Sequence, residues 1–237
     1  MLLSNQKVVI IGGTSGIGLA LARLAVESEA EIVIASRSQE KLEKAKQEFG
    51  DAVEGLVVDV TDEKSVKSFF NQVGRFNHLA TTVGEPVVFA NFLESEILQV
   101  KQALNVKFWG QYLCVKYAAP HIHSTGSITL MSGSGGPGKG VSALACTNAA
   151  VEALSRCLAV ELAPIRINVI KPGMIDTPLW RKFSDSERNT MYQQVGQELL
   201  VGRIGKPEEV AQTYLYLMTN GFISGTSITV DGGTSNR

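Results

Sequence analysis

Four β-branched residues in a row, Val8-Val9-Ile10-Ile11, begin the first apolar stretch, and a run without polar alternation reads as a strand covered on both faces. It runs directly into glycines at 12, 13, 16 and 18, after which Ile17, Leu19, Ala20, Leu21, Leu24 and Ala25 recur at helical spacing. The same cadence repeats along the chain. Glu31–Ala35 predicts a second buried strand and Gln39–Phe49 a charged amphipathic helix stopped by Gly50. Gly55–Val60 predicts a third strand, followed by a helix capped at Thr61 or Asp62. Leu79–Val83 predicts a fourth, ending at Gly84-Glu85-Pro86, and Ser95–Ala119 a long helix closed by Pro120. Ser127–Met131 is the fifth strand, Ser132–Gly140 a glycine-rich loop, and Ser142–Leu162 a helix of small residues. Arg166–Ile170, the helix Pro207–Thr219 and Ser227–Val230 complete the pattern. Residues 174–200 are polar and irregular, which reads as a lid or substrate loop. Strands alternating with helices, without linker or repeat, predict one α/β domain over residues 1–237: a doubly wound parallel sheet with helices on both faces.

A strand that ends in glycines opening a helix is suited to a phosphate. Residues without Cβ let the backbone come close, and the helix start offers unpaired N–H groups and the positive end of its dipole. Gly12, Ser15, Gly16, Ile17 and Gly18 are therefore candidate cofactor-binding residues. A doubly wound sheet binds at the carboxyl ends of its strands, so the next strand end, Ser36-Arg37-Ser38, is informative. An acid there reads a free ribose 2′-hydroxyl, whereas an arginine pairs with a 2′-phosphate. Arg37 beside Ser36, with no acid before Glu40, favours NADP(H) over NAD(H). At the third strand, Asp59 could accept from an adenine amino group or simply begin a turn.

Bulk properties narrow the alternatives. A net charge of −1 without a basic run argues against nucleic acid as partner. No continuous apolar run reaches the roughly 18 residues of a membrane span, and MLLSNQK is too short for a signal peptide, which predicts a cytoplasmic protein. Cys114, Cys146 and Cys157 are scattered, which reads as reduced core thiols. His121 and His123 lack an obvious third ligand, so no metal is expected. Small and apolar residues on more than one face of Leu104–Leu113 and Ala149–Leu162 predict a homo-oligomer.

Taken together, the chain resembles the short-chain dehydrogenase/reductase family over its whole length. The resemblance rests on Gly12, Gly16 and Gly18 in the spacing G-x-x-x-G-x-G, and on Asp59-Val60, Asn105-Val106, Pro172-Gly173, Thr177, Gly202-Arg203 and Asp231-Gly232-Gly233. It implies that Val60 and Gly84 adjoin the cofactor, and that Pro172, Gly173, Ile175 and Thr177 line the nicotinamide and hold its carboxamide. It also implies a dimer or tetramer, with the matching helices at the dimer interface, and a small-molecule substrate.

In that family a serine polarises the substrate carbonyl, a tyrosine gives it a proton, and a lysine four residues later holds the ribose and lowers the tyrosine pKa. Here Asn148-Ala149-Ala150-Val151-Glu152 matches the family's Lys-Ala-Ala-Val-Glu without a gap. The lysine position is then Asn148, the tyrosine position Leu144, and the serine position Gly133, between Ser132 and Ser134. No tyrosine lies between Tyr117 and Tyr192, so no shift of alignment restores the pair. Asn148 still reaches ribose hydroxyls, but it is uncharged. Asn105 and Ser132 remain as candidate catalytic residues. Three readings stay open: an oxidoreductase with a substitute proton donor (Ser132, Ser134, Lys139 or Tyr192), a nucleotide-binding pseudoenzyme, or a non-redox enzyme on a borrowed fold.

Overall fold

The computed structural model describes residues 2–84, 90–135 and 138–236. Its strands are Lys7–Ile11 (β1), Glu31–Ser36 (β2), Val53–Val57 (β3), Phe76–Thr81 (β4), Ile122–Met131 (β5), Arg166–Pro172 (β6) and Ser227–Val230 (β7). They form one parallel sheet in the order β3-β2-β1-β4-β5-β6-β7. The helices are Gly16–Glu27 (α1), Gln39–Phe49 (α2), Glu63–Val73 (α3), Ile97–Leu104 (α4), Gly110–Ala118 (α5), Ser142–Glu161 (α6), Asp185–Glu198 (α7) and Pro207–Thr219 (α8). Successive strand residues point to opposite faces, and both faces are buried. Val8, Ile10, Ile32 and Ile34 pack with Leu21, Leu42 and Leu217, under α1, α2 and α8. Val9, Ile11 and Val33 pack with Phe70, Val115 and Val151, under α3, α5 and α6. The strand order reverses between β1 and β4, and a crevice opens there at the carboxyl ends.

Several predicted elements are corrected. The third strand stops at Val57, not Val60, because the Asp59 carboxylate accepts from the Thr61 N–H at 2.9 Å and turns the chain. The fourth strand runs from Phe76 to Thr81, and Glu85 and Pro86, expected to end it, lie outside the described residues. The fifth begins at Ile122. The long helix expected over residues 95–119 is interrupted by a π-helical turn at Asn105–Trp109. Residues 174–200 are not irregular, for they contain α7, whose start is fixed by a capping box between Ser184 and Glu187. Only Cys114 is a core thiol; Cys146 and Cys157 are exposed. α6 is long and apolar enough to cross a membrane by length and composition, because its alanines and cysteines raise the mean hydropathy without a continuous apolar run. It packs on β6 and carries Glu152 and Arg156.

Candidate active site

The glycine turn leaves no room for side chains. Gly12 has φ +91°, and a Cβ on it would lie 2.6 Å from the Thr82 hydroxyl. On Gly18 it would lie 2.3 Å from the Gly12 carbonyl oxygen, which no side chain tolerates. Ser15, the N-cap of α1, makes no side-chain capping bond, so the first turn keeps N–H groups for an anion. This turn borders a cavity of about 320 Å³ lined by Gly12, Ser15, Ser36, Arg37, Val60 and Gly84. Gly16 and Gly18 lie behind its wall, where they allow close packing on Thr177 and Gly12. Asp59 is not among the lining residues. Its carboxylate accepts from the Thr61 hydroxyl at 2.7 Å and from the Thr61 N–H, and these bonds, with Arg37 nearby, hold it below the usual carboxylate range. These bonds are those of a turn.

A second cavity of about 450 Å³ meets the first at Gly84. Ile17, Asn148, Pro172, Gly173, Ile175 and Thr177 line it, so residues scattered over most of the chain converge here. Gly173 lets β6 approach the C-terminal turn, since a Cβ there would lie 2.7 Å from the Asp231 Cα. The far wall is apolar: Leu144, Met174, Leu179, Trp180, Met191 and Val195. Trp180 is buried and donates its indole N–H to the Ile175 carbonyl at 2.9 Å, so it belongs to both core and cavity.

Ser132 lines this cavity, but its hydroxyl donates to the Asn148 carbonyl (3.1 Å) and to Glu152 (3.3 Å). Glu152 in turn pairs with Lys171 at 3.1 Å. The Asn148 side chain sits over Gly133, where a Cβ would lie 2.9 Å from its amide nitrogen. Its Oδ1 is buried with no hydrogen-bond partner among the described residues. Asn105, expected to be catalytic, is exposed and does not line the cavity. The cause is helical phase: Ala103 and, four residues on, Lys107 face the cavity, and Asn105 lies on the other side.

The architecture is that of known proteins. The model of a family described as enoyl-(acyl carrier protein) reductase matches residues 12–235. The short-chain dehydrogenase/reductase ucsE of Acremonium sp is 30% identical, covering 98% of this chain and 96% of its own. The chain belongs to the short-chain dehydrogenase/reductase family. Among solved structures of such proteins, a small-chain dehydrogenase in complex with NADPH is 35% identical, with a TM-score of 0.85 and coverage of 98% and 99%. The MalC reductase/Diels-Alderase of Malbranchea aurantiaca is 29% identical, with a TM-score of 0.91 and coverage of 100% and 98%.

Within this short-chain dehydrogenase/reductase, the candidate proton donors separate by position. Lys139 is exposed and lies outside the lining. Tyr192 also lies outside it, donates to Asp176 at 3.0 Å, and is pushed up to about 12 by burial and by that carboxylate. Ser134 lines the cavity, and its hydroxyl bonds Asp231. The residue that sequence reasoning missed is Lys107. It is half-buried, lines the cavity, and is the only charged residue there among those described. Burial alone pushes its ammonium from the ordinary 10.5 down to about 8.

Gln111 was missed as well, and it fixes where Lys107 stands. Fully buried, it accepts from the Thr81 hydroxyl (2.6 Å) and the Met131 N–H (2.9 Å). It donates to the Lys107 carbonyl (2.6 Å) and the Met131 carbonyl (3.0 Å). One amide thus ties the π turn to the ends of β4 and β5. The available signal was modest: Lys107 is the single charge in the run Leu104–Leu113.

Proposed function

We propose that this chain is an NADP(H)-dependent oxidoreductase acting on a small carbonyl or alcohol substrate with an apolar body, with a proton-transfer site unlike the family's usual one. The observation that carries the reading is the junction at Gly84 of two cavities, a glycine-turn cavity holding Arg37 and a larger apolar one. The residues present fit the nucleotide. The glycine turn is a cradle that any Cβ would fill, and Asn148 offers a buried acceptor with no partner among the described residues. Arg37 and Ser36 would hold the 2′-phosphate, Gly12 to Ile17 the pyrophosphate, Asn148 a ribose hydroxyl, and Pro172 to Thr177 the carboxamide. When bound, the cofactor supplies or takes a hydride. The NADPH complex of a 35% identical protein supports this choice.

Leu144, aligned with the family's tyrosine, has no proton to give, and Asn148, aligned with its lysine, has no charge. That pair favours a second reading, in which the nucleotide is held and not consumed. Titration with NADPH and NADH, followed by NADPH oxidation over a panel of carbonyl compounds, separates the two. The first reading expects NADPH to bind at least about tenfold more tightly than NADH, and turnover on carbonyls with apolar bodies. Tight NADPH binding with no turnover across the panel selects the second, and no binding of either nucleotide overturns both. A turnover gain of about 10² or more in Leu144→Tyr/Asn148→Lys would support the assignment of those two positions.

We also infer self-association through α5 and α6. Trp109 and Tyr112 are partly exposed, and Val160 is 80% exposed, which leaves a broad apolar face beyond what the sheet covers. Light scattering at micromolar protein should show a dimer or tetramer, and a monomer would refute this.

A further inference from the structure

We propose that Lys107 is the proton donor of this site, its ammonium occupying the chemical role for which Leu144 is unsuited. The inference rests on the oxidoreductase reading above. In the reducing direction the substrate's carbonyl carbon gains a hydride from the reduced nicotinamide while its oxygen gains a proton from Nζ. A C–H and an O–H bond form, the nicotinamide C–H and one Nζ–H break, and the nicotinamide leaves oxidised. Lys107 is left as an amine and regains its proton from water.

Three observations converge on it. First, position: Lys107 lines the same cavity as Ser132, Asn148 and Leu144. Second, isolation: among the described residues Lys107 makes no ion pair, and the rest of the lining carries no titratable side chain. On the elements packed around it, Glu152 of α6 is engaged by Lys171 and Ser132, and Arg156 and Cys157 lie farther along α6. On β4, His78 is enclosed between Gln6 and Ser127, and Asp231, beyond β7, is taken by Gly233 and Ser235. No carboxylate among the described residues pairs with it, and the lining around it is mostly apolar. Third, placement is enforced. Lys107 lies in the π turn on the cavity side with Ala103, and Gln111 grips the Lys107 carbonyl at 2.6 Å. π turns of this kind recur where a helix presents a functional group.

The chemistry suits the role. An ammonium of ordinary basicity is a weak acid at neutral pH, but burial brings Lys107 to about 8. Near pH 7 it is then mostly protonated and still acidic enough to give the proton up. The neighbouring Asn148 Oδ1 is a buried acceptor that can orient a hydroxyl beside it.

The test has one arm independent of turnover. Competitive acetylation of the nucleotide-free protein across pH, read peptide by peptide by mass spectrometry, should give Lys107 an apparent pKa near 8, well below the ordinary lysine value of about 10.4. A value of 10 or more overturns the proposal. In the second arm, Lys107→Met and Lys107→Arg should each lose about 10² in kcat while NADPH affinity stays within about threefold. The arginine keeps the charge but cannot release its proton, so equal losses identify proton transfer and not electrostatic holding. Wild-type kcat for reduction should fall as pH rises through about 8, and the residual activity of Lys107→Met should not. Either variant keeping more than about a tenth of wild-type kcat overturns the proposal. Failure of wild-type NADPH binding would instead remove the oxidoreductase reading, and the acetylation result is read separately from it.

Discussion

The two cavities that meet at Gly84 are built by different means. The smaller is made of backbone: its shape depends on glycines whose missing side chains let β1, α1 and Thr82 come together. The larger is made of side chains, Leu144, Trp180, Met191 and Lys107 among them, hung on a frame that tolerates exchange. A backbone cradle has one solution, because a single Cβ meets a carbonyl oxygen at 2.3 Å. A side-chain wall has many solutions, and its chemistry can be replaced without altering the fold.

The sharpest test of that contrast is a pair of substitutions. Gly18→Ala places its Cβ against the Gly12 carbonyl and the Thr82 hydroxyl, so the turn must open. NADPH affinity should fall at least about 10²-fold, with a loss of roughly 3 kcal/mol in stability. Leu144→Ala in the larger cavity should leave NADPH affinity within about threefold. Comparable losses in the two variants, measured by calorimetry, would abolish the distinction.

Gln111→Leu comes next, because it probes the joint that carries the side-chain wall. Its amide makes four bonds inside the core, to Thr81, Lys107 and both polar groups of Met131. Leucine leaves the Met131 N–H and its neighbours unpaired, which should cost about 3 kcal/mol in denaturant unfolding. The acetylation pKa of Lys107 should also move back toward 10 as the π turn loosens. A variant as stable as the wild type would show that the clamp is incidental.

Arg37→Ala has a smaller and more selective effect. Loss of a charge-assisted pair to a 2′-phosphate should weaken NADPH by about 10- to 30-fold, or roughly 1.5 to 2 kcal/mol, and leave NADH nearly unchanged. Equal weakening of both nucleotides would take the phosphate away from Arg37.

The same contrast explains what could be read from residues alone. The β1–glycine–α1 unit was legible because local steric demands write themselves into residue type. Pro207–Thr219 was bounded correctly because proline at the first helical position is itself a start signal. α7 was not legible, since Asp185–Glu198 has no continuous apolar stripe, although Ser184 and Glu187 were there to mark its start. Asn105 was taken from its motif position in the family, whereas Ala103 and Lys107, four residues apart, are the ones that line the cavity. The π turn at Asn105–Trp109 is held by Gln111 through contacts to β4 and β5, a tertiary fact that no local pattern contains.

The smallest expected effect bears on why the side-chain wall contains a cation at all. A lysine held at about 8 in the folded chain and near 10.5 when unfolded binds protons more readily in the unfolded state across that interval. Stability of the wild type therefore rises with pH between about 8 and 10.5, and the whole penalty of the buried charge is present below 8. Lys107→Met removes the penalty. It should stabilise the protein by about 1 to 2 kcal/mol at pH 7, less than the full shift implies, because water and side-chain relaxation around the cavity screen part of it. The advantage should shrink through pH 8 to 10.5 and leave only the small packing gain of the thioether above that range. Thermal unfolding of the two proteins over pH 6 to 10.5 measures it directly. A pH-independent difference would mean that the ammonium is solvated and costs nothing. A difference that closes as pH rises would show that this cavity carries a charge at the expense of stability, whereas the glycine cradle beside it asks for none.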